Sequence, residues 1–108
     1  MKILLFTMYD PSKAADLAKV SDQFQANPPE GQKTLAMYTC QGIPFPQGLP
    51  DNVPHNTMVS VSIHEVENNE ALGATTYPFI IAGAAAWSVP ILELVTGDVA
   101  KQEEQLRG

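Results

Sequence analysis

Hydrophobic and polar positions divide the chain into stretches of two kinds. Four short stretches are apolar at most positions or alternate with a period of two, as β-strands do, and two longer ones carry apolar residues at helical spacing. The predicted strands are KILLFTMY (2–9), KTLAMYTCQ (33–41), MVSVSIH (58–64) and WSVPILELV (87–95). The predicted helices are DPSKAADLAKVSDQFQ (10–25) and NEALGATTYPFIIAGAAA (69–86).

The order of these elements, β-α-β-β-α-β, predicts an α+β fold of the ferredoxin-like kind, a four-stranded antiparallel sheet with two helices on one face. Local signals agree with the helix starts. Asp10 before Pro11 is a favourable first turn, and Asn68 or Asn69 can cap the second helix. Pro78 is expected to kink or divide that helix because its ring removes a backbone hydrogen bond.

The segment from Gly42 to Asn56 holds four of the nine prolines and is predicted to be a long loop. Loops of that length in a compact domain often cover or line a site. His55 lies in this loop, where a solvated side chain is the expectation, although a loop that folds over a cavity would bring it near a ligand.

Both faces of the predicted sheet are apolar. Leu4, Phe6 and Met8 lie on one side of the first strand, and Ile3 and Leu5 lie on the other. Two helices can cover only one side, and soluble monomers seldom leave a contiguous apolar face open. The sequence therefore predicts a homodimer in which two sheets pack face to face.

Composition narrows the class of protein. The 108 residues are expected to form a single domain, 1–108, with 98–108 as a polar C-terminal segment that begins a short helix at Asp98. A hydrophobic content of 44% without a long apolar run predicts a soluble protein that does not enter a membrane. The apolar run ILLF is only four residues long and lacks a small-residue cleavage site, so we interpret it as the first strand rather than a signal peptide and expect a cytoplasmic location. The net charge of −6 disfavours a nucleic-acid partner. Cys40 is the single cysteine, so we expect no disulfide and no multi-cysteine zinc site.

The section VENNEALGATTYPFIIAGAAAWSVPILELV resembles a branch of short uncharacterised proteins in the dimeric α+β barrel superfamily. Tyr77-Pro78-Phe79 interrupts the helix and Val89-Pro90 gives the last strand an X-Pro step, as in that branch. The resemblance covers about the first 97 residues. It implies a homodimer whose site is the cavity between sheet and helices or the interior at the dimer centre. The superfamily includes cofactor-free monooxygenases, heme-handling enzymes, isomerases and binding modules, so the resemblance implies a location rather than a reaction.

Candidate site residues follow from strand parity. If Val59, Val61 and Ile63 pack on the helices, then Ser60, Ser62 and His64 face the dimer side. Tyr38 and Glu93 are predicted to share that side, and a histidine near a phenol and a carboxylate can move a proton. The catalytic candidates are thus His64, Tyr38 and Glu93, and the ligand-binding candidates are Ser60, Ser62, Phe6 and Trp87.

Each candidate also has a purely structural interpretation. His64 can be a strand-end side chain bonded to backbone or solvent, Trp87 can anchor a corner, and Cys40 can be a small buried hydrophobe. Two functions therefore remain open: a homodimer that binds an apolar small molecule or serves as an interaction module, and a cofactor-independent monooxygenase-like or isomerase-like enzyme. No cofactor and no metal site are expected, since the histidines and neighbouring glutamates lack a ligand spacing.

Overall fold

The computed structural model describes residues 1–42, 51, 54 and 56–108. Most of the predicted proline loop, including His55, lies outside the described residues. The strands are β1 (Lys2–Tyr9), β2 (Gln32–Thr39), β3 (Met58–Val66) and β4 (Ala85–Pro90). The helices are α1 (Ala14–Ala26), preceded by a 3₁₀ turn at Pro11–Lys13, α2 (Asn69–Ile81) and α3 (Val99–Arg107).

The strands form one four-stranded sheet in the order β2-β3-β1-β4, and all neighbouring strands are antiparallel. The predicted α+β class and antiparallel sheet are confirmed, and the arrangement is compatible with a ferredoxin-like fold. In the centre of the sheet, Leu5 of β1 lies opposite Ser62 of β3 and opposite Ser88 of β4. This register decides which side chains share a face.

The 3₁₀ turn that leads into α1 and the start of α2 are each capped by the side chain that precedes them. The Asp10 carboxylate accepts a hydrogen bond from the Ser12 backbone N–H at 2.8 Å. Hydrogen bonding from Ser12 lowers the pKa of the Asp10 carboxyl below its ordinary value. At α2 the cap is Asn68, whose side-chain oxygen accepts from the Ala71 N–H at 2.8 Å. Of the two asparagines the sequence offered, Asn68 is therefore the capping residue.

The second helix is shorter than predicted and is not divided at its proline. α2 continues past Pro78 to Ile81, and the Pro78 carbonyl accepts from the Ala82 N–H at 3.1 Å. The helix then ends because Gly83 adopts a φ of +108°, a left-handed conformation that glycine tolerates without strain. The predicted alanine run is consequently split, and Ala85 and Ala86 belong to β4.

A β-bulge in β2 changes the predicted faces of that strand. Thr34 pairs with His64, but Met37 pairs with Ser62, so the register shifts between Thr34 and Ala36. The extra residue is Leu35, whose side chain is exposed. An uninterrupted period of two in KTLAMYTCQ would place Leu35 on the face of Met37; with the bulge, Thr34 shares that face instead.

The helices cover the face of the sheet that carries Ile3 and Leu5, both fully buried. Phe24 of α1 lies 6.1 Å from Phe79 of α2, centroid to centroid, so the two helices also contact each other above the sheet. The side chain of Phe24 meets the His64 ring edge to face at 6.3 Å.

The position of His64 corrects the parity predicted from the sequence. We expected Val59, Val61 and Ile63 to face the helices and Ser60, Ser62 and His64 to face the opposite side. The structure has the reverse arrangement, since α1 packs on His64 and the register places Ser60 and Ser62 on the same face. An alternating pattern defines two faces but does not say which one is covered.

The fourth strand ends at Pro90, five residues before its predicted end at Val95. The pairing with β1 stops here: the Ile91 N–H donates to the carbonyl of Lys2, the first residue of β1, at 3.0 Å, and the described sheet gives β4 no further partner after that bond. Residues 91–108, which we call the C-terminal arm, then leave the sheet. The predicted polar helix within the arm is present as α3, with Asp98 as its N-cap residue, and none of its residues is buried.

In the part of the chain that the structure describes, every helix is too short or too polar to cross a membrane. The expected cytoplasmic location stays a prediction.

Candidate functional site

A cavity of about 250 Å³ lies between the sheet and the two helices. Its floor is formed by β1, β2 and β3, and its roof by Leu17, Ala18 and Ser21 of α1 and Phe79 of α2. The floor residues are Leu5, Thr7, Tyr9, Met37, Tyr38, Thr39, Ser60, Val61 and Ser62. The walls are mainly apolar, with hydroxyl groups at defined points of the floor. That composition is typical of a small-molecule site.

One end of the floor carries a group of four side chains that we call the hydroxyl cluster: Thr7, Tyr9, Thr39 and Ser60. The Tyr9 hydroxyl lies 2.9 Å from Ser60 Oγ, and Thr39 Oγ1 lies 3.2 Å from the same atom. Thr7 Oγ1 donates to the Ser60 carbonyl at 3.4 Å. The cluster forms because both Thr7 and Thr39 are register partners of Ser60, on either side of β3.

The next polar position along β3 belongs to a second group, the His64 network, which consists of Gln25, Gln32, Thr34, Ser62 and His64. His64 Nε2 lies 2.7 Å from Ser62 Oγ, and His64 Nδ1 lies 2.7 Å from Gln32 Oε1. Ser62 and His64 meet because residues two apart on a strand point to the same face. His64 as a whole residue is 3% exposed.

The outer members of the His64 network define its hydrogen-bond directions. Gln25 Nε2 donates to Thr34 Oγ1 at 3.0 Å, and Thr34 Oγ1 donates to Gln32 Oε1 at 3.0 Å. Gln32 therefore presents an acceptor to His64, so Nδ1 carries the ring proton. Nε2 is then an acceptor, and the Ser62 hydroxyl donates to it.

The imidazole is held in its neutral form. Burial lowers the pKa of His64 below its ordinary value of 6.5, because the charged ring loses hydration there. Its contacts are with uncharged groups, namely Gln32, Thr34, Ser62 and the Phe24 ring. A neutral imidazole whose Nε2 accepts the Ser62 hydroxyl is the form that can act as a base toward that hydroxyl.

Three of the sequence candidates lie together on the helix-covered face: Ser60, Ser62 and His64. Tyr38 lies opposite Val61 in the register and thus on the other face of β2, with 60% of its surface exposed, although it borders the cavity at the edge of the sheet. Glu93 lies in the C-terminal arm and forms an exposed ion pair with Lys2 at 3.1 Å. The structure does not gather His64, Tyr38 and Glu93 into one cluster.

The remaining two candidates lie on the other face of the sheet, which none of the helices in the described part of the chain covers and which we call the open face. Phe6 and Trp87 are register partners there, with parallel rings 5.1 Å apart. Their stacking explains the position of Trp87 better than the predicted corner anchor. The open face also carries Leu4, Met8, Ala36, Tyr38, Val61, Ile63 and Val89.

Sequence reasoning missed Tyr9, Thr39, Gln32 and Thr34. Tyr9 could have been found from the sequence, because it lies at the polar end of the first strand and points to the same face as Leu5. Gln32 and Thr34 had no such signal, because their pairing with β3 depends on the bulge at Leu35. Nothing in the local sequence around Gln32 indicates that it contacts His64, 32 positions further along the chain.

Residues 1–42 and 56–108 contain no group of three histidine, cysteine or acidic side chains that is arranged to hold a metal ion. Cys40 is a partly exposed free thiol next to the end of β2. Its backbone N–H donates to the Val59 carbonyl at 2.9 Å.

The sequence matches no protein-family model, and it matches no curated protein. The geometry of the cavity and of the open face is therefore the basis for a functional proposal.

Proposed function

We propose that this protein is a homodimeric α+β barrel that binds an apolar small molecule in the cavity between its sheet and helices. The observation that carries the proposal is the cavity itself, which has apolar walls and a floor with two separate hydrogen-bonding groups. The space of about 250 Å³ between these layers is partly open to solvent, so a ligand can enter it.

The size of the cavity favours a small ligand. Cavities for drug-sized molecules span roughly 300–1,000 Å³, and an apolar cavity of about 150 Å³ holds a benzene ring. At about 250 Å³, this cavity suits a single substituted ring or a short branched chain. Leu5, Leu17 and Phe79 supply the apolar contacts for such a molecule.

The open face supports the homodimer. Trp87 and Val89 are exposed to 39% and 43%, and they lie beside Phe6 and Leu4 in one contiguous apolar surface. A second copy of the chain offers the same flat surface, and two sheets packed at about 10 Å would bury both. With a two-fold axis through the open face, a single interface buries the apolar surface of both chains.

The C-terminal arm gives further support. Leu92, Leu94 and Val95 are each more than half exposed, yet the arm is held in a defined shape. Gln102 donates through Nε2 to the Glu93 carbonyl at 2.9 Å and accepts through Oε1 from the Val95 N–H at 2.9 Å. An arm that is ordered by its own hydrogen bonds but leaves its leucines uncovered is suited to pack against the other chain.

The cavity is tested by titration with ethylbenzene, followed by two-dimensional amide NMR. We expect saturable shift changes at Leu17, Ser62 and Phe79. Ala18→Phe should abolish them by filling the roof of the cavity, and the matched control Ala15→Phe, an exposed position on the same helix, should not. Changes confined to Phe6 and Trp87, or none at saturating probe, would refute cavity binding.

A second candidate is an enzyme of the cofactor-independent isomerase-like or monooxygenase-like kind. It is favoured by one observation, the neutral His64 bonded to a cavity-lining serine, which is an arrangement for abstracting a proton through Ser62. Deuterium uptake at the α-carbons of cyclohexanone in D₂O tests it. Uptake above the protein-free rate that is lost in His64→Gln supports the enzyme, and uptake equal to the protein-free rate argues against it.

A further inference from the structure

The direction of the hydrogen bonds in the His64 network fixes what Ser62 can offer to the cavity. Each donor along the path is already committed: Gln25 to Thr34, Thr34 to Gln32, and His64 Nδ1 to the same Gln32 oxygen. The last proton of the path, on Ser62 Oγ, goes to His64 Nε2 at 2.7 Å. Ser62 is thus left with lone pairs and no free proton.

Ser62 is also the member of this network that reaches the cavity wall. A serine hydroxyl normally adapts to a ligand, since it can rotate to donate or accept. Here the buried imidazole removes that freedom, and turning the Ser62 proton toward a ligand would leave Nε2 without a partner in a site that is 3% exposed. An unpaired buried acceptor is costly, so the network keeps Ser62 as an acceptor.

We propose that the cavity selects apolar ligands that carry a hydroxyl donor, phenols in particular, and that Ser62 is the residue that determines this specificity. The inference rests on the proposed binding function and names its ligand class. The ligand hydroxyl donates to Ser62 Oγ, and the ring lies between Leu5 on the floor and Leu17 and Phe79 on the roof.

The favoured ligand is a phenol rather than an aliphatic alcohol for two reasons. A phenolic O–H is the stronger donor, and it gains more from an acceptor whose own proton is directed into a polarised chain. The Phe79 side chain at the roof also offers an aromatic contact to a ring, in an offset or edge-to-face geometry.

The test uses matched probes on the unmodified chain: 4-ethylphenol, which can donate, and 4-ethylanisole, which can only accept. Affinities are measured by amide NMR titration at pH 7.5. We expect 4-ethylphenol to bind about tenfold more tightly, the difference that one well-formed neutral hydrogen bond makes. Equal affinities, or tighter binding of 4-ethylanisole, would overturn the donor requirement and leave cavity binding intact.

If ethylbenzene and both probes fail to shift Leu17, Ser62 and Phe79, the proposed function itself fails and the inference fails with it. The two failures are therefore distinguishable in one set of titrations, without any variant.

A pair of isosteric variants then assigns the selectivity to Ser62. Ser62→Thr keeps the hydroxyl and should retain the preference for 4-ethylphenol, whereas Ser62→Val has the same shape without the acceptor and should bind both probes within about twofold. A preference that survives in Ser62→Val would refute the role of Ser62. If Ser62→Val does not fold, the wild-type comparison and Ser62→Thr still decide: loss of the preference in Ser62→Thr despite a retained hydroxyl would count against the proposal.

Discussion

Ser62 Oγ and His64 Nε2, 2.7 Å apart on one face of β3, join the wall of the cavity to the buried centre of the domain. Ser62 borders the cavity and His64 is 3% exposed. The protonation state of the imidazole therefore determines whether Ser62 donates or accepts a hydrogen bond in the cavity. It is also coupled to stability, because a buried neutral histidine resists protonation.

The protein should become less stable as the pH is lowered, because His64 is buried in its neutral form. Burial lowers the pKa of His64 in the folded chain below its unfolded value of 6.5, so the unfolded state takes up the proton first. The free energy of unfolding should be level, as far as this group is concerned, above pH 6.5 and should decrease below it until the folded pKa is reached. The slope in that window is at most about 1.4 kcal/mol per pH unit. Urea unfolding between pH 7.5 and 5.5 measures it.

The chain offers a matched control for that experiment, since His55 is its other histidine. His64→Gln should flatten the dependence between pH 6.5 and 5.5, and His55→Gln should leave it in place. The assignment to His64 is wrong if the slope disappears in His55→Gln instead.

The Asn68 cap gives a second prediction, with a neighbouring control. Asn68→Ala removes the acceptor for the Ala71 N–H and should lower the free energy of unfolding by about 1 kcal/mol, the usual cost of losing an N-cap. Asn69→Ala, one residue further on and inside α2, should change it by less than about half that amount. Chemical denaturation of both variants measures the difference, and equal losses would contradict the cap assignment.

The sequence predicted elements well where local pattern decides and poorly where long-range pairing decides. β1 matches its predicted span, because an apolar run ending at Asp10-Pro11 has few alternatives. The bulge at Leu35 was not predictable, since only the partner strand defines a register shift. The end of β4 depends on where β1 begins, a fact that is absent from the local pattern WSVPILELV.

The candidate site shows the same limit. Period two correctly grouped Ser60, Ser62 and His64, but the choice of face was wrong because both faces of β3 carry residues that tolerate burial. Polar residues such as serine and histidine predict an exposed face. Here the hydrogen bond from His64 to Gln32 allows the imidazole to be buried. Tyr38 was assigned to that face because the bulge was unknown, and Glu93 because β4 was expected to continue past Pro90.

If the protein is a homodimer, its mass in solution and the effect of a substitution in the open face can be predicted. In light scattering after gel filtration, the wild-type chain should have twice its mass of 11.7 kDa. Trp87→Lys places a charge in the middle of the open face and should give the monomer mass while the circular dichroism spectrum is retained. Tyr77→Lys is the control, since Tyr77 is also an exposed aromatic side chain but lies on α2, away from the open face. A wild-type monomer at micromolar concentration would overturn the dimer.

The C-terminal arm should contribute to the same dimer through its leucines. Leu92 and Leu94 are exposed to 60% and 56% in the single chain, so replacing both by Glu costs the monomer little and should weaken dimerisation by at least tenfold if the arm packs on the second copy. Lys101→Glu changes the net charge by the same two units on the same arm and leaves its leucines in place, so it separates charge repulsion from lost apolar contact. Sedimentation equilibrium of the three proteins measures the dissociation constants. If Lys101→Glu weakens the dimer as much as the leucine double variant does, the arm acts through charge alone, and its leucines have no place in the interface.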